Sequence, residues 1–139
     1  MKTAAMFVAI LVVFFMPGPA SIAGTEDAGE PHFVKGKFEL PLNTDTIGEQ
    51  WKVLGYFRCE YDGKEKGWTS ERSERHKGEH THPWYILFAG KSGKIQFIIQ
   101  GQRFVLEPGD ELYYPKNAVI AARNLHDGRS EWFNCWKYY

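Results

Sequence analysis

The chain has 139 residues, and its 17 basic and 17 acidic side chains give a formal net charge of zero. This balance gives no electrostatic reason to expect a nucleic acid or an anionic membrane as a partner. The sequence also lacks the GxSxG, P-loop and GxGxxG motifs, so nothing in it points to the enzyme classes that use them.

Residues 1–23 predict a cleaved signal peptide. Lys2 is the only charge among them, and residues 4–16 form an unbroken apolar run that is short for a membrane span. Small residues precede Gly24, where we expect cleavage, and the remaining 116 residues carry 17 acidic and 16 basic side chains. That length suits a single domain. The signal peptide predicts that the domain is secreted or periplasmic and has no membrane contact after cleavage. An uncleaved N-terminal anchor is the alternative.

Residues 24–32 predict a flexible leader in which His32 is solvated, because no large apolar side chain precedes Phe33. Within the domain, 33–139, turn signals separate short apolar or alternating runs, and no window shows the apolar spacing of a helix. Nine strands are predicted, at 33–39, 51–59, 67–74, 83–89, 94–99, 102–106, 111–114, 118–123 and 131–137. Gln100-Gly101 is predicted to form a hairpin turn between two of them. Strands in this number indicate an antiparallel sandwich or closed barrel.

The two cysteines, Cys59 and Cys135, predict a disulfide between an early strand and the final one, because an exported chain reaches an oxidising compartment. Neither belongs to a CxxC motif or lies beside a candidate base in the sequence, so no redox or nucleophilic role is predicted. The alternative is that both are small buried apolar side chains on separate strands.

Aromatic residues crowd the C-terminal strand, namely Trp132, Phe133, Trp136, Tyr138 and Tyr139. The simplest interpretation is that this closing strand packs against the barrel. A homodimer interface is the alternative, because aromatic side chains are enriched at protein contacts.

The stretch 78–124 resembles the conserved core of the cupin family. The matching positions are His80 and His82 of an HxH pair, a PGD turn at 108–110, and Pro115 and Asn124 of the motif PxGxxHxxxN. The resemblance implies an antiparallel jelly-roll β-barrel. Glu111 follows the PGD turn and is expected to face solvent.

The resemblance also implies a metal held by the two histidines, a glutamate and a third histidine. Here Ile86 or Leu87 occupies the glutamate position, and Ile120 occupies that of the last histidine. Ile86 lies an even number of residues from His82 and so shares its face. The pair His80 and His82 can itself converge on one ion, since alternate strand residues project to the same side. The candidate metals are Fe, Mn, Zn, Ni and Cu, with a third ligand from Tyr114, Glu79, His76 or another strand.

Six inward-facing side chains are the candidate ligand-binding residues: His80, His82, Trp84, Phe97, Tyr114 and Asn124. They predict that the barrel lumen binds a small, partly apolar molecule. The first alternative is a metal-dependent enzyme, an oxygenase, isomerase or lyase, which a third ligating group near both imidazoles would favour. The second is a structural or protein-interaction module, which a filled lumen would favour. We expect folding without metal, because no closed structural zinc set is present.

Overall fold

The computed structural model describes residues 29–73 and 77–139. The predicted signal peptide and most of the predicted leader therefore lie outside the described residues. In chain order, the elements are β1 (His32–Val34), α1 (Thr44–Val53), β2 (Arg58–Lys64), β3 (Tyr85–Ser92), β4 (Ile95–Ile99), β5 (Gln102–Leu106), β6 (Glu111–Tyr114), β7 (Ile120–Asn124) and β8 (Ser130–Lys137). Among the described residues, no helix has the length and apolar character needed to cross a membrane.

The strands form two antiparallel sheets. The larger has the order β1-β6-β3-β8-β2, and the smaller has the order β5-β4-β7. Alternate residues of each strand point between the sheets, where apolar side chains such as Ile95, Ile99, Leu112 and Tyr114 are almost completely buried. This arrangement confirms the predicted all-β, antiparallel fold.

The predicted hairpin is formed by β4 and β5. Ile95 pairs with Leu106 and Ile99 with Gln102. The turn between them needs two residues with positive φ, which Gln100 (51°) and Gly101 (80°) supply. The predictions for β3, β6, β7 and β8 are also confirmed, with strand ends that differ by three residues or fewer.

The prediction of a strand at 51–59, and of no helix, is wrong, because the last turn of α1 extends to Val53 and β2 begins only at Arg58. Its start is capped by Asn43, whose side-chain oxygen accepts a hydrogen bond from the Thr46 backbone N–H at 3.1 Å. Only Ile47 and Trp51, four residues apart, are buried. With two buried side chains in ten residues, the apolar period of this helix is too weak to identify from the sequence.

Helix α1 covers the outer face of the five-stranded sheet. Glu111 is buried beneath it, so the prediction that Glu111 faces solvent is wrong. The Trp51 ring stacks on Phe133 with centroids 5.9 Å apart. Glu111 is only 9% exposed and accepts hydrogen bonds from Trp51 Nε1 at 3.1 Å and Lys37 Nζ at 2.9 Å. Strand alternation does direct Glu111 away from the lumen, but the helix closes over that face.

The prediction of a strand at 67–74 is also wrong. Ser70–Arg72 form a single 3-10 turn, and Thr69 accepts the capping hydrogen bond at its start. The segment runs beside β7, because Thr69 forms an isolated bridge with that strand and the Ser70 hydroxyl accepts a hydrogen bond from the Ala122 N–H at 3.1 Å.

The structure joins Cys59 and Cys135 in a disulfide, as predicted. The two residues lie directly opposite each other on β2 and β8, so the bond ties the edge strand of the larger sheet to its neighbour. Cys135 belongs to the buried cluster under α1. Because alternate strand residues face opposite sides, the neighbours Arg58 and Glu60 turn toward the lumen.

Candidate functional site

An open lumen of about 400 Å³ lies between the two sheets. Strands β2, β3 and β8 form one wall, β4 and β7 form the other, and the segment before β3 contributes two histidines. The buried part is apolar and is lined by Ile86, Phe88, Ile95, Phe97 and Ile120. A cavity of this size lies within the range of small-molecule sites.

The predicted histidines lie together at this lumen. The imidazole centroids of His80 and His82 are 4.8 Å apart in an edge-on arrangement. The backbone of His80 pairs with Ile120 through hydrogen bonds of 3.0 and 2.8 Å, so β7 sets its position. His80 Nδ1 also lies 3.1 Å from the Gly78 carbonyl oxygen. The backbone therefore holds the two rings beside one another.

Tyr114 supports this segment from the core and is not part of the lumen wall. It is fully buried, and its hydroxyl oxygen accepts a hydrogen bond from the His82 backbone N–H at 3.0 Å. The same hydroxyl donates to the Ala118 carbonyl oxygen. Burial raises the pKa of Tyr114 above its ordinary value.

Trp84 and Phe97 both line the lumen, at different depths. Trp84 is half-buried, and its ring stacks on His82 at 5.6 Å and on Trp136 at 6.0 Å. Phe97 is buried and packs against Phe88 with centroids 4.8 Å apart. The structure thus brings four predicted ligand-binding residues, His80, His82, Trp84 and Phe97, to one cavity.

Asn124 lies apart from that group and holds the backbone at the end of β7. Its amide nitrogen donates to three carbonyl oxygens, those of Lys64, Glu65 and Gly128, at 2.8 to 3.0 Å. Its amide oxygen accepts a hydrogen bond from the Ser130 hydroxyl at 2.7 Å. With these bonds made, the side chain is satisfied by the protein itself.

Sequence reasoning missed one wall of the lumen, a charged row on β2 made of Arg58, Glu60, Asp62 and Lys64. The signal was present, because charged residues alternate with other types through 58–64 at the period of a strand. The predicted strand 51–59 divided this row. On β8, the row faces Trp132, Asn134 and Trp136, which were also not identified as lumen residues.

A family profile described as a cupin domain matches residues 68–136. The chain belongs to the cupin superfamily. No curated protein matches this cupin.

Among solved structures, the cupin is similar to an acireductone dioxygenase from Bacillus anthracis with a cadmium ion in its active centre. The identity is 20%, the TM-score is 0.50, and the match covers 67% of this chain and 58% of the other. A DUF861 family protein from Thermotoga maritima is 14% identical, with coverage of 74% and 97% and a TM-score of 0.45. A DMSP lyase from Ruegeria pomeroyi is 17% identical, with coverage of 62% and 49% and a TM-score of 0.47. At these identities, the likenesses concern the fold.

The donors that the structure describes do not form a complete metal site. Ile86 and Ile120, at the positions that the resemblance assigns to a glutamate and a histidine, are buried and line the lumen. Within the described ranges 29–73 and 77–139, no three His, Cys, Asp or Glu side chains are grouped to hold an ion. Of the other predicted ligand candidates, Tyr114 is bonded to the backbone and Glu79 is exposed, while His76 lies outside the described residues.

Proposed function

We propose that this cupin binds a small, partly apolar molecule in its lumen. The observation that carries the proposal is the open cavity of about 400 Å³, in which an apolar floor meets two histidines and a tryptophan at one end. Burying apolar ligand surface there contributes roughly 25 cal/mol per Å² before the costs of association. The polar side chains then orient the ligand.

The lumen is not filled by side chains, which argues against a purely structural role. If the space between the sheets served only as a core, side chains would fill it to the packing density of an ordinary protein interior, which is close to that of organic crystals. Here half-buried aromatic rings, those of Trp68, Trp84 and Trp136, border open space. Such rings offer large contact areas at small conformational cost.

We place this activity in a secreted or periplasmic protein. The predicted signal peptide motivates that location, and the Cys59–Cys135 bond supports it, since disulfides persist in oxidising compartments. No described feature assigns a homodimer interface, and the role of the aromatic tail in such a contact stays a prediction.

Blocking the lumen tests the proposal. Ala122 lines the cavity, whereas Ala121 points to the other face of β7. Ala122→Phe should abolish the binding of indole and of small aromatic fragments seen by ligand-observed NMR, while Ala121→Phe should retain it. If no fragment binds the unaltered protein, or if both variants bind equally well, the lumen is not the site.

A metal-dependent enzyme is the second candidate, favoured by the 4.8 Å separation of the His80 and His82 rings. It requires a ligand beyond the two imidazoles, since catalytic metal sites commonly use three protein ligands. Metal analysis of the mature protein, purified without chelator or polyhistidine tag, separates the candidates. A stoichiometric transition metal would support the enzyme, whereas none is expected if the lumen is a binding site.

A further inference from the structure

We propose that the lumen recognises a neutral polyhydroxylated molecule, a free sugar or a polyol, through Asn134 and Glu60 on the wall formed by β2 and β8. This inference rests on the proposed function, because it names the class of ligand that the same lumen takes. It follows from hydrogen-bonding groups for which the described residues supply no partner.

Asn134 presents an amide nitrogen to the lumen with no acceptor. The residue is 5% exposed and lines the cavity. Its amide oxygen accepts a hydrogen bond from Trp132 Nε1 at 3.1 Å, and because an indole N–H only donates, this bond fixes which end of the amide is oxygen. Across residues 29–73 and 77–139, the amide nitrogen donates to no protein atom. A buried donor of this kind requires an acceptor from a bound molecule or from water.

Glu60, an exposed residue that lines the lumen, is the strand neighbour of Asn134. The two residues are directly opposite each other on β2 and β8, and such pairs on one face have Cβ atoms about 4.5 to 5.5 Å apart. In the described part of the chain, Glu60 forms no hydrogen bond or ion pair. Asp62, the next carboxylate of the charged row, has one oxygen bonded to the Gly63 N–H at 2.7 Å. The Glu60 carboxylate and the Asn134 amide nitrogen therefore belong to neighbouring residues of the sheet but form no hydrogen bond with each other.

A hydroxyl is a chemical group that can satisfy both the donor and the acceptor. It accepts through its lone pairs and donates through its single hydrogen, so one hydroxyl can accept from Asn134 and donate to Glu60. An ammonium group only donates, and a carboxylate or phosphate only accepts. An anion would also lie against the negative charges of Glu60 and Asp62.

The ends of the charged row also favour a neutral ligand. The Arg58 guanidinium lies over the Trp136 ring at 5.2 Å, and the Lys64 ammonium lies over the Trp68 ring at 4.8 Å. Both cations thus contact aromatic faces and leave the carboxylates between them available.

Calorimetry on the full chain with glucose, galactose, mannose and maltose at millimolar concentration tests the inference. At least one of these sugars should bind, and Glu60→Ala should weaken its binding about tenfold, as expected for a lost hydrogen bond to a charged group. Asn134→Asp should weaken it similarly, because it keeps the acceptor for Trp132 and removes the donor. The matched control is Glu49→Ala, which removes an exposed carboxylate of α1 outside the lumen and should leave binding unchanged. Circular dichroism verifies that each variant is folded.

The outcomes separate this inference from the proposed function. If indole binds in an Ala122-dependent manner and no sugar binds, the sugar inference is overturned and lumen binding stands. If neither binds, both fall. Sugar binding that Glu60→Ala and Asn134→Asp leave intact, or tighter binding of glucuronate than of glucose, would also overturn the inference, because the contacts or the neutrality of the ligand would be wrong.

Discussion

Restoring the missing metal ligands should convert the lumen into a tight metal site. Ile120 and Ile86 are 3% and 6% exposed and line the same cavity as the histidines. Ile120 is also the backbone partner of His80, so a histidine at position 120 would project beside the existing pair. The double variant Ile120→His, Ile86→Glu should therefore bind Zn²⁺ or Ni²⁺ tightly.

The same double variant should be destabilised without metal. Each newly buried polar group costs about 1–3 kcal/mol when unsatisfied, or roughly 2–6 kcal/mol together, against a typical domain stability of about 5–15 kcal/mol. Metal at about a thousand times its dissociation constant returns roughly 4 kcal/mol. Thermal melts should thus show a lowered Tm that added metal raises.

Leu87 provides a matched control for this experiment. It is as buried as Ile86, at 6% exposure, but it belongs to the cluster under α1 on the other face of β3. Ile120→His with Leu87→Glu should be destabilised and gain much less from metal. If the Ile86 double variant binds no metal by calorimetry, the alignment of the second motif is wrong. If the natural protein already binds a divalent transition metal at submicromolar affinity, the preference for a ligand-binding lumen over a working metal site is wrong.

Three further predictions concern stability. The domain should fold without metal, so adding chelator to the purified protein should leave the thermal melt unchanged, and a collapsed melt would contradict this. The unreduced, denatured protein should show no free thiol, and reducing the Cys59–Cys135 bond, which closes a sequence separation of 76, should cost about 4 kcal/mol in a chain-entropy treatment. Trp51→Phe should cost about 1–3 kcal/mol in urea unfolding, because it removes a hydrogen bond to buried Glu111; an unchanged midpoint would show that this bond contributes nothing.

The strands with one buried face were predicted correctly, because the alternation of apolar and polar residues that identifies them involves only a few neighbouring positions. Ile95, Phe97 and Ile99 alternate before Gln100-Gly101, and this pattern is found as a hairpin with those side chains in the core. The HxH pair also lies at the lumen, with its imidazole centroids 4.8 Å apart. Its residues precede β3, and His80 is held by an isolated bridge to Ile120, so strand alternation is not what brings the two rings together.

Helix α1 was not predicted because the contacts that stabilise it are tertiary and leave no local pattern in the sequence. Its stability depends on Trp51 packing against Phe133 and donating to Glu111, and these partners lie far apart in the sequence. Ten residues form a marginal helix in water without such packing. The same contacts explain the burial of Glu111, which strand alternation directs away from the lumen but cannot show to be covered.

The candidate site likewise has features that the sequence predicted and features that only the tertiary structure shows. By itself, the sequence determined the all-β fold, because alternation acts along single strands. The HxH pair and the two isoleucines at the implied ligand positions were identified from motif positions. Only the tertiary structure decided that β2 lies beside β8, and hence that Glu60 meets Asn134 in the lumen. It also decided that Asn124, which shares the inward parity, is used by backbone carbonyls instead of the lumen. Parity gives the side toward which a residue points, whereas its partners depend on which distant strands and loops pack against it.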